Sequence, residues 1–166
     1  MNDFSHLDNE GRVRMVDVTD KPATDRRAVA EGTVFMNPAT LKKIFDKQVK
    51  KGNVLETARI AGIMAAKNTA SLIPMCHPLA ITFASVDFTA DDAASSIRIR
   101  AEVRVKSETG VEMEAMTAVS VAALTLYDMC KSYDRTMTLT DIRLVEKSGG
   151  KSGHFKRNIP CGDSDR

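Results

Sequence analysis

At 166 residues, with 43% hydrophobic and 28% charged side chains, the chain suits one soluble domain with a core of its own. Its 24 basic and 22 acidic residues leave a net charge of +2, which argues against nucleic-acid binding through a global basic field but leaves room for a local cationic pocket. Cys76, Cys130 and Cys161 are too few for a disulfide framework, and no uncharged run reaches the about twenty apolar residues of a membrane span.

Met1 to Glu10 is polar and acidic, unlike a signal peptide, so a cytoplasmic protein is expected. The polar ends, Met1–Arg14 and Lys156–Arg166, are expected to be mobile and to flank a single ordered core of about 15–156. Met15–Val18 and Ala28–Met36 read as extended segments. Asn37-Pro38 suits a helix start, followed by the stripe Leu41, Ile44, Phe45 and Val49 and a stop at Gly52. A second helix, rich in alanine, is predicted over Leu55 to about Ser71. Pro74 and Pro78 then hold Met75-Cys76-His77 in a constrained connection.

Two strands follow. In Ala80–Ala90 the apolar phase shifts near Ala84-Ser85, which predicts a bulge. Ile97 to Lys106 alternates cleanly between apolar and charged residues. After the turn Ser107–Gly110, Ala115 to Lys131 is helical and apolar on nearly all sides, and Met137–Val145 reads as a last strand before the glycine-rich Lys147–Gly153. The order predicts an α+β fold in the ferredoxin-like manner, an antiparallel sheet covered on one face by two long helices.

The sharpest chemical signal is in the apolar helix, where Asp128 and Lys131 are the only charges between Ala115 and Lys131 and lie three apart on one face. They read either as a surface ion pair at a fraying end or as a site pair whose pKa values partial desolvation draws toward neutrality. Glu112 and Glu114 share a face if the chain there is extended; otherwise they are turn carboxylates opening a helix. His77 between two prolines is by itself more often structural than catalytic. No spacing among Cys76, His77 and Cys130 supports a metal, and none is expected. Lys147–Gly153 ends like a phosphate loop, but Val145 stands where that motif needs glycine, so only a loop able to approach an anion remains. Lys50-Lys51 beside Gly52, Arg26-Arg27 and Lys67 are further candidate cations, each more often surface than site.

Taken together, Met15–Val18, Thr57–Ala66 (TARIAGIMAA) running on to Leu72–Leu79, Gly110–Ala115 (GVEMEA) with Leu124–Lys131 (LTLYDMCK), and Lys147–Gly153 (KSGGKSG) resemble the molybdenum cofactor biosynthesis protein C family. The resemblance runs from about His6 to Lys156, and the order and spacing of the segments agree. It implies a phosphorus–oxygen lyase that converts a cyclised GTP derivative, (8S)-3′,8-cyclo-7,8-dihydroguanosine 5′-triphosphate, into a cyclic pterin phosphate and pyrophosphate. By resemblance, the catalytic pair is Asp128 and Lys131. Met75, Cys76, His77, Met113 and Glu114 would contact substrate, with Glu112, Lys51, Lys67, Arg26 and Lys147 around purine and triphosphate. Met75 stands where many relatives have leucine, a volume-conserving exchange. No cofactor is implied. The family further implies a homohexamer, a trimer of dimers, with sites between subunits. From another class, a non-catalytic nucleotide-binding regulatory module of the same fold would have no need to keep the Asp128/Lys131 pair in an apolar helix.

Overall fold

A computed structural model describes residues 10–151 and 153–158. In chain order these form β1 (Thr24–Phe35), α1 (Pro38–Phe45), α2 (Val54–Lys67), α3 (Thr69–Leu72), β2 (Phe83–Asp91), β3 (Ser96–Ser107), α4 (Glu112–Cys130), β4 (Thr138–Ser148) and β5 (Phe155–Lys156). The strands make one antiparallel sheet in the order β2-β3-β1-β4-β5, and α2 and α4 pack together across one face. This is the expected α+β ferredoxin-like arrangement. No helix among the described residues is long and apolar enough to cross a membrane.

Alternation decides which face of the sheet the helices cover. Ile97, Ile99, Ala101, Val103 and Val105 of β3 and Ala28, Ala30 and Val34 of β1 are all buried beneath α4. Small residues let α4 lie close to the sheet: a Cβ on Gly32 would come within 2.7 Å of Val119 Cγ1. On the open face Arg27 pairs with Glu102 at 2.7 Å and Glu146 at 3.0 Å, and these side chains flank a fully buried Val29.

Several local expectations are corrected. Met15–Val18 lies outside the sheet as irregular chain. α1 ends at Phe45, well before Gly52, and Phe45 is exposed while Leu41 and Ile44 are buried. Asn37 does sit at the N-cap, but its side chain makes no capping bond; its backbone N–H instead donates to the buried Asp134 carboxylate at 2.7 Å. The second predicted helix breaks at Asn68 into α2 and α3. β2 pairs with β3 without interruption, so there is no bulge near Ala84-Ser85. Phe83 simply faces outward, stacked under the Arg104 guanidinium at 4.9 Å, which makes an exposed aromatic tolerable. The bulges occur in β4 opposite β1, where Asp141 takes a left-handed φ of 55°.

The α2–α4 contact depends on the alanine-rich face read from the sequence. Ala58, Gly62, Ala65 and Ala66 are buried, and a Cβ on Gly62 would meet the Ala118 carbonyl at 2.9 Å and Val86 Cγ2 at 3.0 Å. Gly62→Val is therefore expected to lower stability by about 1–3 kcal/mol through overpacking, despite removing a glycine from a helix interior. A denaturant titration checks this: an unchanged midpoint means the helices separate without cost.

Candidate active site

α4 begins at Glu112 rather than Ala115, so Glu112 and Glu114 belong to its first turn and not to extended chain. That turn sits at the sheet end where Thr24 pairs with Ser107 and where β4 finishes at Ser148. A cleft of about 300 Å³ opens there, lined by Met75, Cys76, His77, Glu112, Met113 and Glu114 together with Val16, Val18 and Lys21. His77 is held in it by donating Nε2–H to the Val16 carbonyl at 2.9 Å, which leaves Nδ1 of the neutral ring as an acceptor. The irregular Met15–Val18 segment thus serves as a wall of the cleft.

A second cleft, of about 570 Å³, adjoins the first and shares Lys21, Thr109, Gly110 and Glu112 with it. It carries Arg26 and Lys151. Arg26 donates to the carbonyls of Ser107 at 3.1 Å and Glu108 at 2.9 Å, which fixes its guanidinium against the turn before α4. Gly149 and Gly150 have φ of 96° and 72°, and side chains on them would overlap the Asp25 carbonyl and the Arg26 guanidinium. The expected loop Lys147–Gly153 is shorter than its sequence suggests, because Lys147 and Ser148 complete β4 and only the glycine turn beyond them is free of the sheet. Lys147 turns inward and its Nζ meets Glu112 Oε1 at 2.8 Å.

Glu114 is the most perturbed acid of this group. It is 3% exposed, and burial, with a smaller contribution from Glu112, pushes its carboxyl up to about 7. It also lines a cleft of about 340 Å³ on its other side, shared with Lys67. Burial and the nearby Glu114 raise the Cys76 thiol, and burial pushes Cys130 up to about 11, so both thiols stay protonated at neutral pH.

The raised Glu114 value fixes the sign of a stability effect. The folded chain holds the proton more tightly than the unfolded one, so the favourable contribution is complete below about pH 4.5 and is lost as pH rises through 7. Glu114→Gln removes the cost of ionising a buried carboxyl. The variant is expected to match the parent near pH 4 and to exceed it by about 3 kcal/mol near pH 8. Thermal melting across that range checks it; a constant difference between the two proteins would refute the assignment.

The remaining candidates are elsewhere. Lys131 is the C-cap of α4, its Nζ 2.7 Å from Asp128 Oδ1. Lys51, from the connection between α1 and α2, donates to the Asp128 carbonyl at 2.7 Å and reaches Asp128 Oδ2 at 3.3 Å. Asp128 is thus forked between two lysines. The side chains of Asp128 and Lys131 are 59% and 51% exposed, and the expectation that their pKa values approach neutrality is corrected in this chain. Hydrogen bonds from Lys131 and then Lys51 hold Asp128 below the usual carboxylate range, and the bond to Asp128 raises Lys131. From Glu112 to Asp128 is sixteen helical positions, or roughly 24 Å along the axis at 1.5 Å per residue. One chain therefore gathers Arg26, Lys147, Glu112, Glu114, Met113 and Met75–His77 at one end of α4, with Lys67 behind Glu114, and Lys51, Asp128 and Lys131 at the other.

Sequence reasoning did not single out Lys21, Thr109 or the Lys51–Asp128 contact. Lys21 is an isolated lysine in an irregular turn with no periodic signal, and Lys51 meets Asp128 across 77 positions of chain.

The chain is similar to known proteins over nearly its whole length. The model of the MoaC family matches residues 15–150. A cyclic pyranopterin monophosphate synthase of Desulfatibacillum aliphaticivorans is 64% identical over 155 residues, covering 93% of this chain and 98% of its own. One from Desulforapulum autotrophicum is 62% identical over 155 residues, with 93% and 95% covered. One from a Thermoanaerobacter species is 54% identical over 156 residues, with 94% and 99% covered. The match takes in both ends of α4, every cleft residue from Val16 to Gly150, and the strands that position them, and on this ground the chain belongs to the MoaC family.

Proposed function

We propose that this protein is a cyclic pyranopterin monophosphate synthase, acting in molybdenum cofactor biosynthesis on a cyclised GTP triphosphate and releasing pyrophosphate. The observation that carries the reading is the convergence of Arg26, Lys147, Glu112, Glu114 and His77 on adjoining clefts, in a chain matched almost end to end by synthases of that name. Rebuilding a purine as a pterin needs several proton transfers, and a carboxyl pushed up to about 7 beside an imidazole can give and take protons near neutrality. Forming the cyclic phosphate requires a hydroxyl of the same molecule to lose its proton and attack the α-phosphorus. The bond from the α-phosphorus to the bridging oxygen then breaks and pyrophosphate departs. Cations such as Arg26, Lys147 and Lys151 offset the charge that builds on that leaving group.

The roughly 24 Å between the ends of α4 supports a site shared between subunits. Lys51, Asp128 and Lys131 of one chain complete the cleft formed around Glu112 and Glu114 of another. Among the described residues of the single chain nothing brings Lys131 to the cleft or lowers its ammonium for work as a base; burial against a neighbouring subunit and substrate does both. Exposed apolar residues along the helices, Ile60 at 59%, Met64 at 57% and Leu124 at 58%, give further copies a surface to cover. The assembly is a cytoplasmic homohexamer, a trimer of dimers. Incubating the pure protein with the cyclised GTP derivative tests the activity: stoichiometric pyrophosphate and a pterin chromophore are expected, and a protein that binds the substrate without releasing pyrophosphate is a nucleotide-binding module instead.

A further inference from the structure

Glu112 is an acid placed among cations. It stands at the junction of three clefts, one with Met75–His77, one with Lys21, Arg26 and Lys151, and a small one with Arg26, Lys147 and Gly149. Its carboxylate folds back over Gly110, where a Cβ would collide with it, and meets Lys147 Nζ at 2.8 Å. Both side chains are 28% exposed. The contact is therefore shielded enough to matter and open enough to exchange.

We infer that Glu112 is a resident counter-anion, holding Lys147 between turnovers and yielding it to the substrate's phosphates, so that binding and pyrophosphate release each trade one ion pair for another. The inference rests on the proposed phosphate pocket. Arg26 and Lys147 are carried by paired strands, and Arg26 is tied to two carbonyls, so the cations keep their places when the pocket changes partner. Glu112 is in the first turn of α4 on a flexible stem. Swung off Lys147, its carboxylate stays beside the positive end of its own helix and is not stranded. A triphosphate with several charges displaces a single carboxylate. Pyrophosphate, once cut free, would linger in a purely cationic pocket, and the returning carboxylate competes with it. No bond is made or broken by this exchange.

Calorimetric titration of inorganic pyrophosphate into the intact oligomer at low salt tests it, with Glu112→Gln, Lys147→Met and the double variant beside the parent. Glu112→Gln keeps the shape over Gly110 and removes the charge. It is expected to bind pyrophosphate about tenfold more tightly and to be inhibited by it at correspondingly lower concentration. Lys147→Met should weaken binding, and in the double variant the gain from Gln should vanish. Glu112→Ala, a second way of removing the charge, must move affinity in the same direction. If Lys147→Met weakens binding while neither Glu112 variant strengthens it, the exchange is wrong and the phosphate pocket stands. If Lys147→Met and Arg26→Ala both bind pyrophosphate normally, the pocket itself is misassigned and the exchange falls with it.

Discussion

Lys131→Ala is expected to fold and assemble normally and to lose turnover by about two to four orders of magnitude, the usual contribution of a positioned proton-transfer group. Folding is spared because Lys131 caps the exposed end of α4 and its ion pair with Asp128 is open to water. Asp128 keeps Lys51 as a partner, so the carboxylate is not orphaned. The conservative variant separates proton transfer from charge. Lys131→Arg retains a cation that does not deprotonate in proteins, so it should restore substrate affinity without restoring kcat. A Lys131→Ala protein with near-normal pyrophosphate release would remove Lys131 from the chemistry, and a Lys131→Arg protein with full kcat would reduce its role to electrostatics.

Mixing Arg26→Ala with Lys131→Ala should recover activity that neither has alone. In one chain the two residues are at opposite ends of α4, because Arg26 sits on β1 beside the turn that opens the helix and Lys131 closes it. If each site takes its cleft from one subunit and its Asp128–Lys131 pair from another, a mixed dimer contains one site with both defects and one with none. Random exchange makes half the dimers mixed, so roughly a quarter of parental activity is expected. Recovery must track the mixed oligomers when subunits carrying two different tags are separated. Verified mixed oligomers with no activity would mean that each chain builds its site alone, and the separation along α4 would then have to close by movement within the chain.

What could be read from the residues depended on how local the signal was. The alanine face of α2, the alternation of Ile97–Lys106 and the apolar run of α4 each appear within a few turns of one element and were found where expected. Of the stripe Leu41, Ile44, Phe45 and Val49, only Leu41 and Ile44 form the buried face of α1, Phe45 being exposed and Val49 lying beyond the helix. Boundaries were less legible because they depend on partners distant in sequence. Asp134 supplies the bond at the α1 N-cap that Asn37 does not make with its own side chain, and pairing with β1 extends β4 to Ser148. The bulge misplaced in β2 reflects the same limit. An outward Phe83 looks like a change of phase until Arg104, on the next strand, is seen to cover it.

Among the site residues, the motifs themselves were visible as linear strings, because their chemistry requires particular side chains in a fixed order. Their sorting into two clusters was not visible, since it follows from where a rigid 19-residue helix begins and ends against the sheet. Periodicity identified Asp128 and Lys131 as charges in an apolar helix; only tertiary packing decided that Lys51 joins them and that water reaches all three. Conversely, Glu112 and Glu114 look alike in sequence. The fold buries one, which pushes its carboxyl up to about 7, and turns the other onto Lys147.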